Sequence, residues 1–121
     1  MRRPGHYFAV LACVALASCA TAPPPQDVDY GAPPAHYMDA VHRYLDEILK
    51  DPSTAQYREL SAPFKGYVQA GLLYGGRRTY GWMVNVEVNA KNSYGGYVGF
   101  RTYSFLFRGE QLVDVIPPPD E

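Results

Sequence analysis

"TYGWMVNVEVN", Thr79 to Asn89, decides the fold class. Tyr80, Trp82, Val84, Val86 and Val88 fall on one side of an extended chain, and Gly81, Met83, Asn85, Glu87 and Asn89 on the other. That period of two is the pattern of a β-strand with one covered face. Upstream, "KGYVQAGLLYGG" reads as a strand ending at the turn signal Gly75-Gly76, with Arg77 and Arg78 at the tip. Downstream, in "YVGFRTYSFLFRGE", Val98 and Phe100 keep one phase while Tyr103, Phe105 and Phe107 keep the other, which predicts a bulge or strong twist near Arg101 and Thr102. Arg108-Gly109-Glu110-Gln111 then turns the chain into "LVDVI", which Pro117-Pro118-Pro119 ends. The result is an antiparallel meander of about four main strands, with a short extra strand near Tyr57 to Leu60.

Before the strands the period changes. In "AHYMDAVHRYLDEILKD", Tyr37, Val41, Tyr44 or Leu45, and Ile48 recur at helical spacing, with Met38 and Leu49 widening the stripe. Asp39, Arg43, Asp46, Glu47 and Lys50 take the opposite face, where Asp39 with Arg43 and Arg43 with Glu47 are each four apart. Asp51-Pro52 should stop this helix, because proline restricts the residue before it and lacks an amide donor. Asp51 as an N-cap with Pro52 behind it predicts a short second helical turn in "DPSTAQY". The expected fold is therefore α+β, one amphipathic helix laid on an antiparallel sheet whose other face is partly wet.

The N-terminus carries an address. Arg2 and Arg3 precede an apolar run from Tyr7 to Ala17, the layout of a secretory signal. The run is too short to span a bilayer, which takes about 20 apolar residues. Its end, Leu16-Ala17-Ser18-Cys19, resembles the lipobox of bacterial lipoproteins. Cys13 is a weaker candidate, with less apolar length before it. The resemblance implies that residues 1–18 are removed and that Cys19 is acylated with fatty chains of the palmitate type. Ala20 in place of an acidic residue after the cysteine implies the outer membrane, with the domain facing the periplasm. Anchoring by several acyl chains follows, because each buried methylene contributes roughly 0.8 kcal/mol. The mature chain then has no thiol pair with which to form a disulfide.

Composition narrows the rest. Residues 19–34, "CATAPPPQDVDYGAPP", read as a Pro/Ala-rich tether. Residues 35–117 form one small domain, near the lower size limit for folding without staples, and 118–121 a tail. Of the eleven tyrosines, ten follow the signal, making aromatic rings a large part of the core and surface. Loss of Arg2 and Arg3 reduces the 11 basic side chains to 9 against 12 acidic ones, moving the net charge from −1 to −3. Nothing in the chain resembles the basic stripe of a nucleic-acid binder.

"VNAKNSYGGYVGF", Val88 to Phe100, is the most distinctive run. Asn and Gly tolerate positive φ, so it is first a long hairpin connection. It also gathers Asn89, Lys91, Asn92, Ser93, Tyr94 and Tyr97, whose amides, ammonium and rings suit a binding loop for a glycan or an envelope protein. Together with "LKDPSTAQYR" this run resembles a group of small bacterial and phage-associated proteins of unassigned function. The shared features are an Asp-Pro-x-Ser/Thr-Ala element at the helix end and an Asn-Ala-Lys-Asn plus Gly-Gly-Tyr element on the sheet. The resemblance covers Leu49 to Phe107. Where that group has a Cys-Gly pair, this chain has Asn85-Val86, so no role of that cysteine carries over.

The inventory argues against catalysis. His36 and His42 have no cysteine or second histidine at ligand or triad spacing, so no metal or cofactor is implied. The remaining possibility is a carboxylate pair made by Glu87 with Asp114 or Glu110, although scattered acids on a wet sheet are commoner. The expected function is thus a lipid-anchored, non-catalytic binding or accessory module. The alternative is an inhibitor or immunity-type protein acting against a cell-wall-degrading enzyme.

Overall fold

The computed structural model describes residues 27–119, and the signal, Cys13, Cys19 and the first part of the tether lie outside them. The chain is α+β, with helix α1 (Tyr37–Ile48) followed by strands β1 (Asp51–Glu59), β2 (Phe64–Gln69), β3 (Arg78–Lys91), β4 (Arg101–Arg108) and β5 (Gln111–Ile116) in one antiparallel sheet. The long strand β3 organises it. On one edge, β1 pairs with residues 86–91 of β3 and β2 with residues 78–83, so two short strands lie end to end beside one long one. On the other edge β4 pairs with β3, and β5 with β4.

The alternation in β3 works as the residue types require. Val84, Val86 and Val88 join Phe105 and Phe107 of β4 against Val41 and Leu45 of the helix, forming one buried cluster. Burying each such side chain contributes about 1.5–3 kcal/mol. Tyr37, Met38 and Tyr44 widen the helix stripe as half-buried rings and thioether around it. The opposite sheet face is sparser, with Met83 and Leu106 as its buried hydrophobic side chains. Among the described residues no helix is long and apolar enough to cross a membrane.

Three local expectations are corrected. "DPSTAQY" does not form a second helical turn; it is the start of β1. Pairing passes from Asp51 opposite Lys91 to Gln56 opposite Asn89, so the residues between Asp51 and Gln56 bulge from the ladder. The turn chemistry is absorbed there. Thr54 Oγ1 donates to the Asp51 carbonyl at 2.8 Å, Ser53 Oγ donates to the Asp51 carboxylate at 2.8 Å, and Pro52, which has no amide to offer, sits where none is needed. The helix already ends at Ile48, with Leu49 extended at ψ 145°. With β1 nine residues long, the sheet has five strands.

The phase change near Arg101 is also different in kind. It is the beginning of β4, because residues 92–100 form the connection from β3. The irregular register of β4 lies instead between Leu106 and Phe107, facing β5.

Finally, part of the Pro/Ala-rich segment is docked. Trp82 Nε1 donates to the Gly31 carbonyl at 3.0 Å, Gly109 N to the Ala32 carbonyl at 2.8 Å, and Arg108 reaches the Asp29 carboxylate at 3.1 Å. Tyr30 meets Tyr80 edge to face at 5.8 Å, and Pro34 is buried. Among the described residues, contact with the domain is thus made already at Asp29, before Pro34.

Candidate functional site

The 92–100 connection is held by its own polar groups. Asn92 Oδ1 accepts from the amides of Tyr94 at 2.9 Å and Gly96 at 3.1 Å, while the Asn92 amide donates to the Gly96 carbonyl at 2.9 Å. Gly95 closes the turn at φ 77°. Asn89 Oδ1 accepts from the Gly99 amide at 3.0 Å, and its Nδ2 donates to Gln56 Oε1 at 3.2 Å. The two asparagines thus satisfy backbone and strand neighbours, the hairpin role that Asn and Gly chemistry foreshadows.

The remaining loop residues divide. Tyr97 donates its hydroxyl to the Thr54 carbonyl at 3.1 Å and lies under the Lys91 ammonium, 5.5 Å from the ring centroid. It therefore ties the loop to the β1 bulge. Ser93 is exposed, and Tyr94 is 97% exposed with its ring in solvent. The six residues are adjacent but do not converge on one point.

Two of them border a cleft that sequence reading does not reveal. A hollow of about 200 Å³ opens where the helix ends over the sheet, between Ile48, Leu49 and Lys50 on one side and Val88, Ala90, Val98, Arg101 and Tyr103 on the other, with Lys91 and Asn92 at the loop flank. Its floor is aliphatic and aromatic. Three lining residues are cationic and none is acidic. Arg101 shares the face of its partner Val88, and its Nη2 donates to the Pro119 carbonyl at 2.6 Å. Burial pushes the Tyr103 hydroxyl above its ordinary pKa, despite the opposing Arg101 charge, so the phenol stays neutral there.

The acids lie elsewhere and apart. Glu87 is paired with Arg58 at 2.7 Å, and the Arg58 guanidinium also stacks on Phe100 at 3.5 Å. The Glu110 carboxylate accepts the amides of Ala35 at 2.7 Å and His36 at 3.0 Å at the start of the helix. These backbone bonds hold its pKa below the usual carboxylate range. Asp114 sits on β5 opposite Leu106. The carboxylate pair envisaged for Glu87 is thus not formed. His42 packs on Tyr57 with the rings tilted at 49° and their centroids 4.6 Å apart, and His36 lies near Glu110. Among the described residues no three histidine, cysteine, aspartate or glutamate side chains converge to hold a metal. Cys19, the expected lipidation site, lies outside the described residues.

Comparison with family models, with curated proteins and with solved structures returns no match to this chain.

Proposed function

We propose that this protein is a lipid-anchored envelope protein, held at the outer membrane through an acylated Cys19, and that it acts as a non-catalytic binding module. The observation that carries the binding role is the cleft at the helix end, an apolar floor beside Lys50, Lys91 and Arg101 with no acid in its lining. Such a site suits an anionic group attached to a hydrophobic one, as in an acidic segment of an envelope protein. Charge supplies attraction and the floor supplies burial. A glycan is less well served, because the oxygens of Asn89 and Asn92 already accept backbone amides of the loop.

The test is titration of the protein with short peptides that place aspartate or glutamate beside leucine or phenylalanine, followed by amide NMR shifts. Binding at the cleft should confine the shifts to residues 48–50, 88–92 and 98–103, weaken them with salt, and be abolished by Lys50→Glu with Arg101→Glu. Shifts elsewhere, or shifts indifferent to charge reversal, would remove the cleft from the proposal. Adding the protein to a lysozyme-type lytic assay separates the inhibitor reading, since only an inhibitor suppresses that activity at equal molar amounts.

A further inference from the structure

The hairpin joining β2 to β3 ends in an unusual display. Leu72, Leu73 and Tyr74 form a short 3-10 turn and are 91%, 97% and 82% exposed. Single exposed leucines are ordinary, but two adjacent ones followed by a tyrosine form a contiguous apolar cap on a projecting tip. The turn also pairs three of its own amides internally. The Tyr74 and Gly76 amides donate to the Gly71 carbonyl and the Gly75 amide to that of Leu72, which Gly75 and Gly76 permit at φ 83° and 60°. Such a tip can leave water without orphaning these donors.

Along the hairpin itself the charge has one sign, while Asp29 of the docked N-terminal segment is taken up by Arg108. From Leu60 to Val86 the chain contains no aspartate or glutamate but has Lys65, Arg77 and Arg78, within a protein whose net charge is −1. Behind the tip lies a belt of rings and cations. Arg78 lies over Tyr67 at 4.7 Å, Tyr67 packs against Tyr80 at 5.6 Å, and Lys65 lies 5.8 Å from the Trp82 ring. An apolar tip, an aromatic belt and adjoining cations are the sequence of surfaces that a bilayer interface with anionic headgroups complements.

The N-terminal segment reaches the domain at this same end. Tyr30 and Gly31 dock on Tyr80 and Trp82, a few residues from the tip along β3. From Tyr80 the hairpin extends about 17 Å, at the rise of a strand, and the chain from Cys19 to Asp29 spans at most about 35 Å. An anchor at Cys19 would thus bring this end of the domain within reach of the lipid.

We infer that the Leu72–Tyr74 tip is a membrane-surface element that enters an anionic bilayer interface and, with the acyl anchor, fixes the orientation of the domain. The inference builds on the lipid-anchored reading. Insertion of the tip turns the cleft, at the opposite end of β3, away from the lipid.

The experiment uses the purified, unacylated mature chain, residues 19–121, carrying Tyr74→Trp, with the parent mature chain supplying the Trp82 baseline. Vesicles contain phosphatidylglycerol in phosphatidylcholine, or phosphatidylcholine alone, with brominated acyl chains. Blue-shifted emission quenched by bromine only in the phosphatidylglycerol vesicles supports insertion. Leu72→Ser with Leu73→Ser should lower partitioning about tenfold or more, the factor expected from losing leucine transfer. Solvent-like emission from the indole introduced at position 74, on vesicle-bound protein, overturns the inference. So does a blue shift that appears without lipid and grows with protein concentration, which would assign the tip to a second copy. Acylation of native Cys19 is read separately by mass spectrometry, so the anchor and the tip can each fail alone.

Discussion

Replacing Gly81 by alanine tests the packing of the sheet at one atom. Gly81 is buried in β3 opposite Gly66 of β2, and an added methyl group would fall on the backbone carbonyl oxygen of Phe107 and 3.0 Å from Leu106 Cδ1. The carbonyl belongs to β4, whose ladder with β3 fixes its position, so the strands must part to admit the methyl. Overpacking of this kind costs about 1–3 kcal/mol, against roughly 0.5–1 kcal/mol gained by removing a glycine from a strand interior. A carbonyl fixed in the ladder puts the overpacking in the upper half of that range, about 2–3 kcal/mol, so the net is a loss of about 1–2.5 kcal/mol, or about 4–20 °C in Tm for a domain this small. Gly66→Ala is the matched control. Its methyl would meet Met83 Cγ at 2.5 Å, a side chain that can rotate, so its loss should be the smaller one. Urea denaturation followed through Trp82 fluorescence and far-UV circular dichroism measures both. A Gly81→Ala protein as stable as its parent, or a Gly66→Ala protein less stable than Gly81→Ala, would refute this account of the strand contact.

Two further outcomes concern the loops. Asn92→Ala removes the acceptor for the Tyr94 and Gly96 amides, so hydrogen exchange at those two should quicken while global stability falls by no more than about 1 kcal/mol, the contribution of an exposed hydrogen bond. Acid should release the segment that leads into the helix. Asp29 is held below its ordinary pKa by the Gly31 amide and then by Arg108, and Glu110 by the amides of Ala35 and His36. A depressed folded pKa gives stability that is complete above the unfolded value and is lost as pH falls through the folded one. Docking should therefore hold above about pH 4–4.5 and weaken below it, which NMR of the Gly31, Ala35 and His36 amides would follow.

Much of the fold is legible because it follows local period and turn chemistry. Val84, Val86 and Val88 announce a buried face, Gly109 and Glu110 a tight turn, and Val41 and Leu45 the helix stripe that covers them. What escapes reading depends on partners distant in sequence. Pro52, Ser53 and Thr54 look like a helix start until Lys91 and Asn89 are set beside them, where the same residues form a bulge. Asp29 to Pro34 look like spacer because Arg108 and Gly109, which hold them, are far along the chain. Trp82, whose indole donor needs an acceptor when half-buried, is the available hint. The loop residues are neighbours in the chain, but the asparagine amides turn inward, and the cleft beside them depends on Lys50 and Arg101, which no spacing rule connects.

The sharing of β3 between β1 and β2 also sets an order of assembly. The β2–β3, β3–β4 and β4–β5 pairings join strands that follow one another in the chain, whereas β1 must wait for β3 to be laid down beyond β2. Short closures are entropically cheaper than long ones, so the three consecutive strand pairs make the early scaffold and β1 is the late addition. Amide protection that is weaker at Gln56 to Glu59 than at Val84 to Val86 would register it. The end of the molecule that carries the cleft would then be the last to close and the first to breathe, while the hairpin end keeps its shape.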